Sequence, residues 1–533
     1  MNRILVAFVV ALLACCANAG AVQGDASAGQ IALHEARQDV AVAAILQKLR
    51  SDAPQGLIVF RNVRIVDPAA ASVTPNQAVI VQEQRIVWVG DDAKLPRLPK
   101  ATYVDGAGRY LVPGLTDMHV HSSTASGWLL ELANGVTAVR DMAGFPWMLQ
   151  ARDAINSGRM LAPVLSVAGP LITGFPMEGF AVIPASSLDA RRMVRQQAAC
   201  GYDFIKVHNV VPLPIFDAVA QQAHALGMDL VGHVPHDIPV RHAVAAGMRT
   251  MEHLKGFIND RTLQPGETDF AAAVDGPEVW NTPTLYAGRG YAYGDEARRL
   301  LASPEMRYVP LRKREEWRRA LDQPVDDGQK LGHAAGAIMK DIVGKLHVIH
   351  ARFLAGTDAD GYPYTVMGYA LVAELGLLQD AGLSPAEALQ AATTEPARAM
   401  HEENEIGTIR RGARADLILL DGNPLESARV FARNNGVMAH GTWMDRARLD
   451  AALDGLVAIQ AEPDAAQPFT NAAAGDTMTR AESLKSDGFV FDSRLMTELA
   501  TQLRKQGWNA NADRADALAD VPTVGPCVDI RPR

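Results

Sequence analysis

The sequence predicts an α/β protein: a (β/α)8 TIM barrel, a discontinuous small β-sandwich domain and a short helical C-terminal appendage. Three observations predict it. Short apolar runs alternate with helical patterns from Gly114 to about residue 404, which is how the βα units of a parallel sheet read. On either side of that region, β-rich runs are separated by Gln, Asn, Asp and Gly, as antiparallel hairpins are. The chain of 533 residues is also too long for one ordinary domain.

Residues 1–19 read as a signal peptide. Met1-Asn2-Arg3 supplies a positive charge, Ile4 to Ala14 is apolar but too short for a lasting membrane span, and Ala17-Asn18-Ala19 offers a small-x-small cleavage site before Gly20. Leu12-Leu13-Ala14-Cys15 also fits a lipoprotein box, in which Cys15 would carry lipid. Cleavage after Ala19 is the preferred reading. Either one places the mature chain outside the cytoplasm, periplasmic or secreted, with membrane contact only if Cys15 is lipidated. Residues 20–56 form a linker and a helix ending near Leu49.

Residues 57–113 make the first part of the sandwich, with strand signals at Leu57-Ile58-Val59-Phe60, Val63 to Asp67, Gln77 to Val81 and Arg85 to Gly90. Pro113-Gly114 closes it sharply. The barrel occupies residues 114–404. Its strand cores are expected near Leu115–Met118, Ala138–Arg140, Val164–Ala168, Phe204–Val207, Leu230–Gly232, Thr250–Glu252, Asn281–Leu285 and Phe353–Gly356. Eight strands over about 290 residues suit the fold. Ala287 to Lys345 is helical, charged and longer than one crossover needs; a lid over the site and a decorative helix pair both remain open. Residues 405–450 return to strands and complete the sandwich. Residues 451–533 read as a helical extension, amphipathic from Leu495 to Ala519, with no function legible in it.

Composition excludes two classes. Hydrophobic residues at 48% and charged residues at 21% are ordinary for a globular chain and argue against pervasive disorder. The net charge is -9 and no Lys/Arg run stands out, so no nucleic-acid partner is expected. Only Cys200 and Cys527 would survive cleavage, too few for a disulfide framework or a thiolate metal site. The two could pair in an oxidising compartment, but Cys200 lies in a helix-like run and reads as a buried thiol.

In a barrel of this kind, chemistry sits at the C-terminal ends of the strands. His119 and His121 end the first strand, and period-two alternation points both into the barrel mouth. Two imidazoles so placed can share one metal ion. Lys206 ends the apolar run Asp203-Phe204-Ile205-Lys206, where an ammonium is costly to bury. His233, His253 and Asp358 end three further strands. His208, two residues past Lys206, shares its orientation. Arg140 and Asp141 end the second strand and are expected to support the site or a substrate carboxylate. His236, in a loop, and His242, in a helical run, are not expected to be ligands.

The run Val112-Pro113-Gly114-Leu115-Thr116-Asp117-Met118-His119-Val120-His121 resembles the opening signature of the amidohydrolase superfamily. Gly135-Val136-Thr137, Ile205-Lys206-Val207, Gly232-His233, Glu252-His253, Gly356-Thr357-Asp358 and the tail from Gly407 to Pro424 match in order. The resemblance spans roughly residues 57 to 450 and is strongest to the branch of imidazolonepropionase-related proteins and Xaa-Pro dipeptidases. It implies a binuclear centre. His119, His121 and Asp358 would hold the more buried metal, His233 and His253 the outer one, and Lys206, carbamylated by CO2, would bridge them. Two divalent ions are implied, with zinc the expected one for this nitrogen and oxygen donor set. Asp358 would carry the proton from water to the leaving amine, and His208 would hydrogen-bond the substrate carbonyl.

The resemblance implies hydrolysis of an amide or peptide bond in a small molecule such as a dipeptide or an N-acyl amino acid. A cyclic amide, a lactone or an organophosphate is the alternative on the same site. A non-catalytic metal-binding surface protein is the alternative outside enzymes, and the full set of six ligands counts against it. Assembly into a homo-oligomer is compatible with all of these.

Overall fold

A computed structural model of the protein describes residues 26–122, 124–177, 181–258, 270–274, 278–463 and 469–519. The expected signal peptide, with Cys15, lies outside the described residues. The described residues start with a helix, Ala26–Ser51, where one is expected. Five strands follow: β1 (Leu57–Asp67), β2 (Ser72–Gln82), β3 (Arg85–Asp91), β4 (Thr102–Asp105) and β5 (Tyr110–Pro113). The parallel region carries β6 (Leu115–Val120), β7 (Val136–Asp141), β8 (Val164–Val167), β9 (Leu171–Ile172), β10 (Ala181–Val182), β11 (Phe204–Val207), β12 (Asp229–Gly232), β13 (Met248–Glu252), β14 (Trp280–Thr282) and β15 (Arg352–Phe353). Three strands close the series: β16 (Leu417–Leu420), β17 (Asn434–Ala439) and β18 (Thr442–Asp445).

The two β-rich segments do join, but as one sheet. Its order is β18-β17-β16-β5-β1-β2-β3, with β4 paired to β1. The seam is antiparallel, Leu417 lying opposite Pro113 and Leu420 opposite Tyr110. Phe60 on β1 and Trp443 on β18 stand far apart in this order, yet their rings meet edge-on at 4.9 Å. The sheet therefore folds over on itself. Inward residues such as Val63, Ile86, Leu419 and Met438 fill the apolar core between the two halves, which is how a single twisted sheet does the work expected of a sandwich.

Strands stand at all eight expected places, in order, although those expected at Asn281–Leu285 and Phe353–Gly356 end already at Thr282 and Phe353. The ladders do not run as one closed sheet, however. Parallel strands β6-β7-β8 form one arc and β10-β9-β11-β12-β13-β14-β15 a second. Strand length explains the interruptions. Strand β15 has only two residues, and register shifts break the β6–β7 pairing at Leu115/Thr116 and Asp117/Val120. Single parallel bridges span the gaps, Ala168 to Phe204 on one side and Val120 to Ala359 on the other. The short strands β9 and β10 carry no period-two signal and escape sequence reading.

The segment left open between lid and decoration holds the helices Gly294–Leu301, Leu311–Ala320 and Asp327–Val348. Its entry is anchored by Glu374, on the helix Tyr369–Asp380, which accepts hydrogen bonds from the backbone N–H of Leu285 at 3.0 Å and Tyr286 at 2.7 Å. Burial pushes the Glu374 carboxyl up from 4.5 to about 8, against the pull of those two bonds. A folded-state value above the unfolded one contributes stability that is complete below about 4.5 and is lost as pH rises through about 8. The melting temperature of the wild type, measured against Glu374→Gln, is expected to fall between pH 5 and pH 9. A pH-independent difference between the two would contradict this assignment.

The C-terminal region departs most from expectation. It is not a small appendage but a set of helices, Arg446–Gln460, Asn471–Ser486, Ser493–Lys505 and Asn509–Ala519. The first three pack on the N-terminal helix, so the two chain ends build one helical layer. The amphipathic run from Leu495 is two helices broken at Gly507, whose φ of 75° no helix interior accepts. Cys200 is not a plain buried thiol: it ends the helix Ser187–Cys200 and is disulfide-bonded.

Candidate metal centre

The C-terminal strand ends open into a cavity of about 510 Å³. His119, His121, Lys206, His208, His233, His253 and Asp358 all line it. The sequence-predicted set is thus brought to one place. Residues of the lid segment, among them Tyr291, Trp317 and Met339, roof the cavity, which decides between lid and decoration in favour of the lid.

One side-chain group stands out. Single donor atoms from His119, His121 and Asp358 all lie within 4.8 Å of one another. Asp358 Oδ1 is 3.1 Å from His121 Nε2 and 3.5 Å from His119 Nε2, while its Oδ2 faces His253 Nε2 at 3.8 Å. The carboxylate therefore has one oxygen toward each half of the set. The His253 ring lies 4.8 Å from that of His233, which lies 4.2 Å from the His208 ring at a tilt of 38°. His208 Nδ1 is buried and has no hydrogen-bond partner.

Three imidazoles are oriented alike. His119 donates from Nδ1 to Glu252 Oε2 at 2.8 Å, His233 donates from Nδ1 to Asn209 Oδ1, and His253 donates from Nδ1 to Thr284 Oγ1 at 2.6 Å. Each bond fixes the tautomer that leaves Nε2 unprotonated and facing the cavity. Burial lowers the His119 pKa to about 4 and holds His233 and His253 well below the usual imidazole range. Neutral rings with a lone pair at Nε2 are the form a divalent cation needs.

Lys206 is 1% exposed, and its Nζ lies 3.4 Å from His119 Nε2. Burial lowers the ammonium pKa to about 8, although Glu252 and Asp358 favour the charge. Its path exists because residue 232 is glycine: a Cβ there would lie 2.2 Å from Val207 O and 3.0 Å from Lys206 Cδ. Gly356 does the same for His119, whose Cβ a side chain would approach to 2.9 Å.

The backbone carries strain at this rim. His253 and Asp358 have φ of 58° and 55°, as do few residues other than glycine. Such conformations persist where neighbours enforce them, commonly at functional sites. Asp117 is one enforcer. It accepts from Thr357 Oγ1 at 2.7 Å, Thr357 N at 3.1 Å and His119 N at 3.1 Å, locking the strand of His119 to the turn bearing Asp358.

Two expectations are sharpened. Arg140 is buried and donates to Glu252 Oε1 at 2.8 Å, Met118 O at 2.8 Å and Thr250 Oγ1 at 3.2 Å, so it braces the site and does not bind substrate. Asp141 does line the cavity. His242 is no ligand; it pairs with Asp217 at 2.7 Å. Sequence reading missed the supports Glu252, Asp117, Asn209 and Thr284. Glu252 had a signal: a carboxylate on an apolar strand directly before a strand-end histidine. Burial raises its pKa, but Arg140 first and then His119 outweigh that and keep it ionised.

Residues 338–445 match the model of the Amidohydrolase family. An imidazolonepropionase from Anaeromyxobacter sp. (strain K) is 27% identical over 439 residues, covering 75% of this chain and 99% of its own. The chain is thus similar to amidohydrolases, by a family model over part of its length and by relatives over most of it. An adenine deaminase from Rubrobacter xylanophilus is 24% identical over 409 residues, covering 74% of this chain; the match spans 58% of that relative's length. Among solved structures, bottromycin amidohydrolase superposes with a TM-score of 0.66 at 25% identity, covering 80% of this chain and 96% of its own. These relatives are hydrolases acting on carbon–nitrogen bonds.

Amidohydrolases generally use divalent metals, and the residues here fit them. Four imidazoles, one carboxylate and one buried lysine converge, three of the rings are pre-set with Nε2 inward, and the carboxylate divides its oxygens between the two halves of the set.

Proposed function

We propose that the protein is a metal-dependent amidohydrolase that cleaves the C–N bond of a small substrate, a dipeptide or an N-acyl amino acid, inside the barrel mouth that the two parallel arcs enclose. The single observation that carries this is the His119–His121–Asp358 cluster with the buried Lys206 beside it. His119, His121 and Asp358 would hold one divalent ion, His233 and His253 a second, and Lys206 both. Zinc suits the donors. A lysine with its pKa at about 8 has an appreciable neutral fraction near neutral pH, and the neutral amine is the form that adds CO2, losing a proton to become an anionic carbamate. That step turns a costly buried cation into an oxygen donor.

When bound, such a pair supplies a water of lowered pKa and polarises a carbonyl. The protein's own residues do the rest. Asp358 accepts the proton of the attacking water and returns it to the leaving nitrogen, an acid–base role. Glu252, held by Arg140 and Thr250, keeps His119 in its ligating tautomer. His208, with Nδ1 buried and unpartnered, hydrogen-bonds the substrate. The lid residues Tyr291 and Trp317 exclude water and give the cavity an aromatic roof. The leader reading would put this activity outside the cytoplasm.

The purified mature chain is expected to hold about two metal ions and to hydrolyse members of a panel of dipeptides and N-acyl amino acids. Metal analysis by mass spectrometry and product detection by chromatography check both. A metal-loaded chain that cleaves no member of the panel would rule out this substrate class.

A further inference from the structure

A second cavity, about 470 Å³, lies between the N-terminal helix, the C-terminal helical layer and the lid helix Leu311–Ala320. It adjoins the catalytic cavity: Trp317, Asp360 and Arg494 line both, and Asp360 is two residues from Asp358. We propose that this second cavity is a substrate subsite for a protonated amino group, received by Asp39 and Gln460. The proposal rests on the amide-hydrolase reading above and specifies the substrate: an amide whose acyl part extends past the lid helix and ends in an amine.

Charge pairing singles out Asp39. Besides His34, the cavity is lined by three Arg and Lys side chains, Arg312, Lys313 and Arg494, and by four carboxylates, Glu35, Asp39, Asp360 and Asp492. Each of these three has an acid of its own. Arg312 pairs with Glu35, Lys313 with Asp360 at 3.2 Å and Arg494 with Asp492 at 2.6 Å. The carboxylate left over is Asp39, which is 9% exposed. Its Oδ1 accepts the backbone N–H of Ala125 at 3.0 Å. No cation among the described residues is paired with it.

Gln460 adds an independent sign. It is 2% exposed, its Nε2 donates to Ser126 Oγ at 3.0 Å, and its Oε1 is buried without a hydrogen-bond partner. A buried acceptor left unmade is costly, and so is an uncompensated buried carboxylate. The two acceptors in one cavity call for one kind of ligand: a donor carrying positive charge. An ammonium satisfies both, forming a charge-assisted hydrogen bond with the carboxylate. Burial and the nearby Asp492 push the Asp39 pKa up to about 7 against the Ala125 bond, so without such a ligand the carboxyl is poised between its two forms. The arrangement also gives the helical layer a use that its sequence does not betray: it forms the far wall of the substrate site.

The test compares ε-aminocaproyl-phenylalanine with caproyl-phenylalanine, substrates that differ only in the terminal amine, on the metal-loaded full chain. The wild type is expected to favour the amine by about tenfold or more in kcat/KM, and Asp39→Asn to abolish that preference. Asparagine keeps the acceptor for the Ala125 N–H, and a melting curve checks its fold; Gln460→Leu is expected to reduce the same preference. Binding of hexylamine, followed by calorimetry, reads the subsite without turnover. Asp39-dependent hexylamine binding in a chain that cleaves neither substrate nor any member of the dipeptide and N-acyl amino acid panel would sustain the subsite and overturn the hydrolase reading. Equal rates on the two substrates, a preference that survives in Asp39→Asn, or hexylamine binding indifferent to Asp39 would overturn the subsite.

Discussion

Replacing Lys206 with alanine is expected to lower metal content sharply and to reduce kcat/KM by about 10³-fold or more, with partial recovery in added formate or acetate. The reasoning starts from cost. An ammonium at 1% exposure, 3.4 Å from an imidazole nitrogen, is a poor neighbour for a cation. If Lys206 stayed a cation, its removal would relieve repulsion and improve metal binding. If it is carbamylated, its removal deletes an anionic donor shared by both halves of the site. The two cases predict opposite signs in metal content, which mass spectrometry of the purified protein reads directly. Rescue separates a lost donor from a damaged fold. Alanine leaves a hole about the length of the lysine stem, and a small carboxylate can bring its oxygens to the same place. Rescue that depends on carboxylate concentration, with unchanged melting behaviour, supports the carbamate; metal content equal to the wild type in the alanine variant removes it.

How much of this was legible in the sequence follows from the physics of each residue type. The candidate site residues at strand ends were legible because two demands coincide at them: an apolar run that must be buried, and a polar group that ends it. His119, Lys206, His233, His253 and Asp358 all sit at that junction, and the structure brings them to one cavity. The supports were less legible because they act across the chain. Glu252 reaches His119 from a strand 133 residues away, and Asp117 holds Thr357 across 240 residues. No local pattern announces such pairs. The β-rich flanks were read as joining, and they do; that they form one folded-over sheet depends on the pairing of β5 with β16, which periodicity cannot specify. The C-terminal helices were legible as helices but not as a wall of the site, because their role depends on docking against the N-terminal helix. Gln460 and Asp39 are far apart in sequence and line one cavity only through that docking.

The second large effect is expected at Asp358. Asparagine has the same shape, so Asp358→Asn tests charge and proton capacity with little change in packing. The wild-type carboxylate uses both oxygens, Oδ1 toward His119 and His121, and Oδ2 toward His253. In asparagine one of these becomes an NH2 group, which can neither ligate nor accept a proton. The surviving oxygen can still face the His119–His121 half, so part of the metal should remain. What cannot remain is the proton transfer, a contribution of about 10²–10⁴ in rate. The expected result is therefore a kcat lower by about 10³-fold with KM nearly unchanged, the signature of an interaction made in the transition state and not in the ground state. Two measurements keep the interpretation clean. Metal content, compared with the Lys206 variant, shows whether the rate fell because the site emptied. A substrate with a better leaving group, such as an anilide activated by a nitro group, should recover part of the rate if Asp358 delivers the proton to the leaving nitrogen, because that proton is then needed less. A kcat within about twofold of wild type would instead assign the proton to another group at the cavity floor, and His208, with its buried and unpartnered Nδ1, is the residue in position to take it.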